Sequence, residues 1–351
     1  MGRLLKMSRG RQGGLRGAPV WAAQVSLLVA LLATVCLLMA GASLGCRPRG
    51  PQPTMEGARQ FTDAFMQERM TGEVAAARAR LSDQARDIYQ RPEGLVLDLQ
   101  AIGDVTGAYP VAQVAESRDT FKITYRIQEV AGEVVYAAFW DEVLTVTGRG
   151  QTYQITAVGR GVLHEAYVSG DAVVLHIGDQ ESTLFELADL PDVFTPLGAP
   201  ADVEFGVAKE GFILLSFAPA GNRLAFVTWG THGFLGLANV PMGQPAGLDL
   251  HYGGLAIDVR WADDGRHLAA VVDAATGNRA LLVYGTDPAE RINLGLELQF
   301  APEEYEVYRP RWTGAGELTF EVRTAGGGTD PITGGYRANI STREVSRLLQ
   351  Q

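Results

Sequence analysis

The chain has 351 residues, 46 % of them hydrophobic, with a formal net charge of −10; that length allows about two or three domains with packed cores. The first 45 residues hold five basic groups (Arg3, Lys6, Arg9, Arg11, Arg16) and no acid, so the remainder carries 25 basic against 40 acidic residues, net −15. A body so acidic repels phosphate backbones, and no basic run interleaved with aromatics follows residue 50; nucleic acid is excluded as a partner.

The first predicted element is the uncharged run "VWAAQVSLLVALLATVCLLMAGASLG" (20–45) behind the basic segment. A basic start, an apolar stretch and a small-residue end predict a secretory signal over 1–46. The residues Ala42-Ser43-Leu44-Gly45 before Cys46 resemble the bacterial lipobox, which implies lipidation of Cys46 as the new N-terminus. The pattern departs from that family at Ser43, where Leu is preferred. Two alternatives stay open: an uncleaved anchor, since the run is long enough to span a bilayer, and a buried core helix. Either membrane reading places residue 47 onward on the extracytoplasmic side of the cell membrane. Cys36 and Cys46 are the only cysteines, so the body is expected to lack disulfides, a thiol nucleophile and thiolate metal ligands. The stretch "RPRGPQPT" (47–54) reads as a semi-extended tether.

From 55 to 160 the pattern changes from period 3.6 to period 2. Ala58, Phe61 and Phe65 share a helical face, with Thr54 as N-cap and Glu56 in the first turn. Val74, Ala77 and Leu81 continue a second helix, and Ser82 opens a third. "TFKITYRIQEV" then alternates, with Phe121, Ile123, Tyr125 and Ile127 on one face. A turn near Ala131-Gly132, the long run "EVVYAAFWDEVLTVT" and "QTYQITAVG" complete a three-strand antiparallel meander behind helices, an α+β pattern. The segments "ARQFTDAFMQERMTGEV", "LSDQARDIY" and "LTVTGRGQTYQITAVG" resemble the NTF2-like superfamily. That resemblance implies helices packed on a curved sheet to form a cone, which in some members is catalytic and in others only binds or spaces.

Within the cone, Trp140, Asp141, Glu142 and Tyr125 are the candidate ligand-binding residues. One of the two acids must share the phase of Trp140, Leu144 and Val146. A carboxylate beside an indole in an apolar pocket could act as an acid or base, with Tyr125 or Tyr136 as a hydrogen-bond donor. The plainer alternative is a bulge or strand end with both acids solvated.

From 161 to 351 the chain repeats. "FAPAGNRLAFV" (217–227), "WADDGRHLAAV" (261–271) and "WTGAGELTFEV" (312–322) each place an aromatic (Phe217, Trp261, Trp312) four residues before a glycine (Gly221, Gly265, Gly316), then a leucine and a closing valine. The starts lie 44 and 51 residues apart, each copy is followed by a second hairpin (copies near 217–250, 261–295 and 312–349), and a degenerate copy lies near 166–187. Four strands at this period predict a propeller blade, and "W-x-x-D-G-x-x-L-A-x-V" resembles the TolB-like branch of propeller repeats. The fold class expected is therefore an NTF2-like α+β domain followed by a small or incomplete all-β propeller. A β-sandwich with coincident turns is the alternative for this half.

No G-x-S-x-G, phosphate-binding loop, dinucleotide fingerprint or paired-histidine motif occurs. His267 falls on the solvent phase of its strand, and Asp263-Asp264 reads as a turn. The expectation is a membrane-tethered envelope protein that binds or scaffolds a protein, peptide or glycan partner, without cofactor, metal or catalytic activity. The alternative is an isomerase- or dehydratase-like enzyme working in the cone.

Overall fold

Thr54 accepts a hydrogen bond from the Gly57 N–H at 3.0 Å and opens helix α1, Met55–Met70, whose buried face carries Ala58, Thr62, Phe65 and Met66. Helices α2 (Val74–Ala79) and α3 (Asp83–Ile88) follow, the second started by Ser82 Oγ accepting from Ala85 N–H at 3.1 Å. Strands β1 (Asp104–Ala115), β2 (Thr120–Ala131), β3 (Tyr136–Arg149) and β4 (Thr152–Arg160) form an antiparallel sheet against these helices. The computed structural model describes residues 52–88, 104–131, 134–274, 278–301, 303–328 and 330–348. Cys36, Cys46, the apolar run 20–45 and Tyr89 lie outside them. Residues Pro53–Gln351 make up one compact unit.

The meander is longer than its alternation predicts. Strand β1 pairs with β2 over its whole length but shifts register between Val105 and Gly107 and between Pro110 and Ala112. Those bulges break the period-two pattern that would have marked it. Its partner β2 alternates without interruption, burying Phe121, Ile123, Tyr125 and Ile127.

Strand β3 belongs to two arrangements. Its later part, Glu142–Arg149, pairs with β4, while Tyr136–Phe139 pairs with β5 (His164–Ser169). Strands β6 (Ala172–Ile177) and β7 (Gln180–Glu186) extend the sheet outward, giving the order β1-β2-β3-β5-β6-β7 with β4 beside β3. The degenerate copy is therefore a three-strand unit whose fourth strand comes from β3.

Three further sheets are four-stranded antiparallel meanders: β10–β13 (Gly211–Phe217, Arg223–Trp229, His232–Asn239, Pro245–Tyr252), β14–β17 (Gly254–Trp261, His267–Ala274, Arg279–Thr286, Ala289–Ile292) and β18–β21 (Tyr305–Gly314, Glu317–Thr324, Gly334–Asn339, Glu344–Arg347). A two-residue ribbon, β8 (Val193–Phe194) with β9 (Phe205–Gly206), precedes the first of these, and a short helix α4, Leu296–Gln299, precedes the last. These are blades of the β-propeller type, and separate four-stranded sheets replace the sandwich alternative. They pack in chain order: β10 lies on β2 and β3, β14 on β10 to β12, and β18 on β14 to β16.

The repeat aromatics pair with the repeat leucine at or near the end of the first strand of each blade: Phe217 with Leu224, Trp261 with Leu268, Trp312 with Leu318. Between blades run separate apolar cores, one around Phe139, Phe185, Phe217 and Phe226, another around Leu235, Trp261 and Tyr284, and a third around Phe300, Phe320 and Tyr336. Each such ring buried contributes about 1.5–3 kcal/mol. Gly221 and Gly265 have φ of +69° and +62°, as their tight turns require. Gly316 does not share this left-handed conformation. The third copy has one residue fewer between glycine and leucine, and its turn closes instead by a bulge between Trp312 and Gly314.

Candidate functional site

Even-numbered positions of β3 face the helices. Trp140, Glu142, Leu144 and Val146 are buried, whereas Asp141 stands on the other face, part-exposed. Strand phase thus puts one acid inside and one outside, and the solvated reading of both is corrected for Glu142, whose side chain is 0 % exposed. Its Oε1 accepts from Arg69 Nη1 at 3.1 Å, and its Oε2 lies 3.4 Å from Trp140 Nε1 and 3.6 Å from Arg160 Nε. A buried carboxylate without such partners would cost several kcal/mol. Both oxygens are engaged by side chains of the surrounding wall.

Asp141 grips Arg126 through both oxygens, at 2.7 and 3.0 Å, and Arg126 Nη1 donates to the Pro219 carbonyl at 2.9 Å. This acid fixes a blade turn. Tyr125 stands opposite Glu142 in register, but its hydroxyl donates to Asp63 Oδ1 at 2.6 Å and lies 2.8 Å from Thr62 Oγ1. Burial, then the Asp63 carboxylate, pushes this phenol well above its ordinary pKa. Tyr136 donates to Glu165 Oε1 at 3.0 Å, and Glu165 Oε2 lies 3.0 Å from His176 Nδ1. The tyrosine hydroxyls are committed to Asp63 and Glu165. The four cone residues do not converge on one open pocket.

What does open is a cavity of about 810 Å³ between the C-terminal end of α1, strand β1, and the inner strands β14 and β18. Phe65, Val105, Trp140, Trp261 and Trp312 give it apolar and aromatic walls. The repeat tryptophans are set by one recurring bond: Trp261 Nε1 donates to the Ser216 carbonyl at 3.0 Å, and Trp312 Nε1 to the Arg260 carbonyl at 2.9 Å. Each indole reaches the penultimate carbonyl of the preceding blade's inner strand. Phe217, with no N–H to donate, packs edge-on against Phe139 with centroids 5.0 Å apart. From the other side, Gln128 Nε2 donates to the Phe217 carbonyl. The Tyr109 hydroxyl lies 2.9 Å from Gln128 Oε1 and 3.0 Å from the Trp261 carbonyl oxygen. Residues of β1 and β2 thereby satisfy the strand-end carbonyls of two blades.

The charged lining is mostly cationic. Arg69, Arg78, Arg160, Arg260, Arg309 and Arg311 border the cavity, against Glu129 and Asp263. Arg260 Nε pairs with Asp258 at 2.6 Å, and Arg309 Nη1 with Glu321 at 3.5 Å. Arg311 Nη2 donates to the Met70 carbonyl at 3.3 Å. Burial, then the neighbouring Arg260 and Arg309 charges, lowers the Arg311 pKa from its ordinary value. Arg309 has φ of +49°, unusual outside glycine, within a register shift between Tyr308 and Arg311. In the turn below, Asp264 accepts from the Arg266 and His267 N–H groups at 2.8 and 3.2 Å and lies 2.7 Å from His267 Nδ1. His267, the first residue of β15, is half-buried, with its ring held against Asp264 at the turn. Among the described residues no cluster of His, Cys, Asp and Glu could hold a metal ion, and no helix is long and apolar enough to cross a membrane.

The arginines escaped a reading by motif because they come from five separate segments. The nearest signal was "RPRW" (309–312), a basic pair immediately before a repeat tryptophan.

No family model and no curated protein matches the chain. Among solved structures it is similar to TolB from Acinetobacter baumannii, at 13 % identity and TM-score 0.33, over 68 % of this chain and 56 % of that one. It is also similar to an oligogalacturonate lyase in complex with manganese, at 12 % identity and TM-score 0.35, over 71 % and 74 %. A third is the Pyrococcus horikoshii acylaminoacyl peptidase, at 12 % identity and TM-score 0.31, over 70 % of this chain but 33 % of the peptidase. The chain thus spans about half the length of TolB and a third of that of the peptidase. The expectation that the chain is not an enzyme is corrected by this set, which includes a lyase and a peptidase.

Proposed function

We propose that the chain is a membrane-tethered ligand-binding protein of the cell envelope, its ligand held in the cavity between α1, β1 and the last two blades. The observation that carries this reading is the cavity itself, with aromatic and apolar walls and convergent charged groups, the usual make-up of a small-ligand site. In this reading residues 55–160 are an NTF2-like layer, helices on a curved sheet, and 161–351 are propeller blades. The module contributes one wall and the blades the other. The basic and apolar N-terminus supports a tether, with Cys46 as its lipid-bearing residue and the body on the extracytoplasmic side.

Two readouts on the full chain test this. Fractions of envelope extract, including peptide and glycan fractions, are screened for a rise in melting temperature, with Thr319→Trp as the variant that fills the cavity. The expected result is a fraction that stabilises the native chain and leaves Thr319→Trp unmoved. Equal shifts in both, or none in either, would remove the cavity as the site. Separately, Cys46→Ala should lose fatty-acid label and leave the membrane fraction. Retention of the variant in the membrane would give the anchor to the uncleaved apolar run.

A further inference from the structure

We propose that this cavity takes an oxyanion, a carboxylate or phosphate group carried on an apolar or aromatic body, and that Arg311 is its principal anchor. The inference rests on the cavity being the ligand site, and goes beyond it by naming what enters.

The counter-charges of the lining arginines are unevenly distributed. Arg69 and Arg160 share Glu142, which sits buried behind the wall. Arg260 is paired with Asp258 and Arg309 with Glu321. Arg78 has no carboxylate partner among the described residues, but it is exposed to solvent. Arg311 is the half-buried one: its side-chain bond is to one neutral carbonyl, Met70 O at 3.3 Å, and among the described residues no carboxylate pairs with it. A guanidinium offers five donors in a planar fork, so most of this group's capacity is unused. It is half-buried, and of its charged neighbours Arg260 and Arg309 act on it more strongly than the Glu321 carboxylate, which is itself engaged by Arg309 and Arg323. A partly desolvated charge among like charges is costly. An entering oxyanion relieves that cost and accepts two parallel N–H bonds.

The strand shape adds a second, independent sign. Arg309 and Arg311 flank the buried Pro310 at a register shift, and Arg309 holds the left-handed φ of +49°. A non-glycine side chain is strained in that conformation. Both side chains border the cavity. Backbone strain retained where it brings two cations to one wall is consistent with their being wanted there.

The rest of the lining limits the ligand. Phe65, Trp140, Trp261 and Trp312 form walls that suit a ring or hydrocarbon. Glu129 and Asp263 also border the space, so a second or third negative charge meets repulsion. A ligand with one oxyanion head fits these walls; a polyphosphate does not.

The test uses calorimetric titration of the full chain in detergent with three probes: phenylacetate, phenyl phosphate and the neutral phenylacetamide. The expected result is that at least one anion binds at least tenfold more tightly than the amide, which also tells carboxylate from phosphate. Arg311→Gln should abolish that preference, Arg311→Lys should keep part of it, and Arg149→Gln, an exposed turn residue away from the cavity, should leave it intact. Should Arg311→Gln not fold, the lysine variant carries the comparison. Equal binding of anions and amide overturns the inference and leaves the cavity reading standing. If no probe binds, the inference also falls, and the extract fractions described above decide separately whether the cavity takes any ligand.

Discussion

Gly221 and Gly265 occupy the same turn in successive blades, yet they meet different surroundings. Both are left-handed, which costs a side chain roughly 1–2 kcal/mol. A Cβ on Gly265 would find Pro219 Cδ at 3.8 Å, an ordinary contact, whereas one on Gly221 would stand 2.1 Å from Phe139 Cζ. Phe139 is buried against Phe217 and cannot swing away. We therefore expect Gly265→Ala to cost about 1–2 kcal/mol, and Gly221→Ala to cost more, by about 1–3 kcal/mol of overpacking. Urea unfolding of the two variants checks this, and equal losses would show that Phe139 has room to move. A second residue-scale expectation concerns His251, which burial holds at a pKa of about 4 against an ordinary 6.5, with Asp249 opposing and Arg291 reinforcing the shift. Its Nε2 is buried without a hydrogen-bond partner. Below pH 6.5 the unfolded chain takes up a proton that the folded chain refuses. The stabilisation is therefore complete above 6.5, declines as pH falls towards 4, and is on the order of 3 kcal/mol in all. His251→Leu should flatten the decline between pH 6.5 and 5 in denaturant titrations, and an unchanged slope would assign it to the carboxylates. The aromatic, glycine and leucine of the repeat could be read from the chain because local turn chemistry fixes their types. The burial of His251 could not, since a lone histidine has no pattern.

Strand β3 is the element on which the layers depend. It was legible as a strand, its alternation and its two acids on opposite faces included, but not as a strand with two partners, because pairing with β5 involves only Tyr136–Phe139. Strand β1 was missed for a physical reason: Gly107, Pro110 and two register shifts remove its periodicity. The missing strand supplies Tyr109, which bridges to the Trp261 carbonyl, so the gap also concealed a wall of the cavity. A fragment starting at residue 161 lacks β3 and leaves β5 without its inner neighbour and Phe217 without Phe139. A fragment starting at 134 keeps β3. We expect the longer fragment to melt cooperatively and the shorter to melt at least 10 °C lower or without cooperativity, by circular dichroism; a difference of that size corresponds to a few kcal/mol in a unit of this length. Coincident melts would show that β3 adds nothing to the blades.

At the scale of the whole molecule, charge and position are separated. The body past residue 45 is net −15, while six arginines line one cavity. Composition revealed the first and concealed the second, because each arginine taken singly resembles any solvated charge until the fold gathers them. That gathering has a consequence for how the protein is made. Each blade is a run of consecutive hairpins, which close over short loops and form early. The cavity instead joins residues far apart along the chain: the Met70–Arg311 bond spans 241 positions. Loop closure over such a distance comes late and depends on everything between having already settled. A nascent chain that has not yet emitted β18–β21 has no Arg311. The wall that Arg311 gives the cavity is thus completed only after β18 has been made, long after α1 and β1.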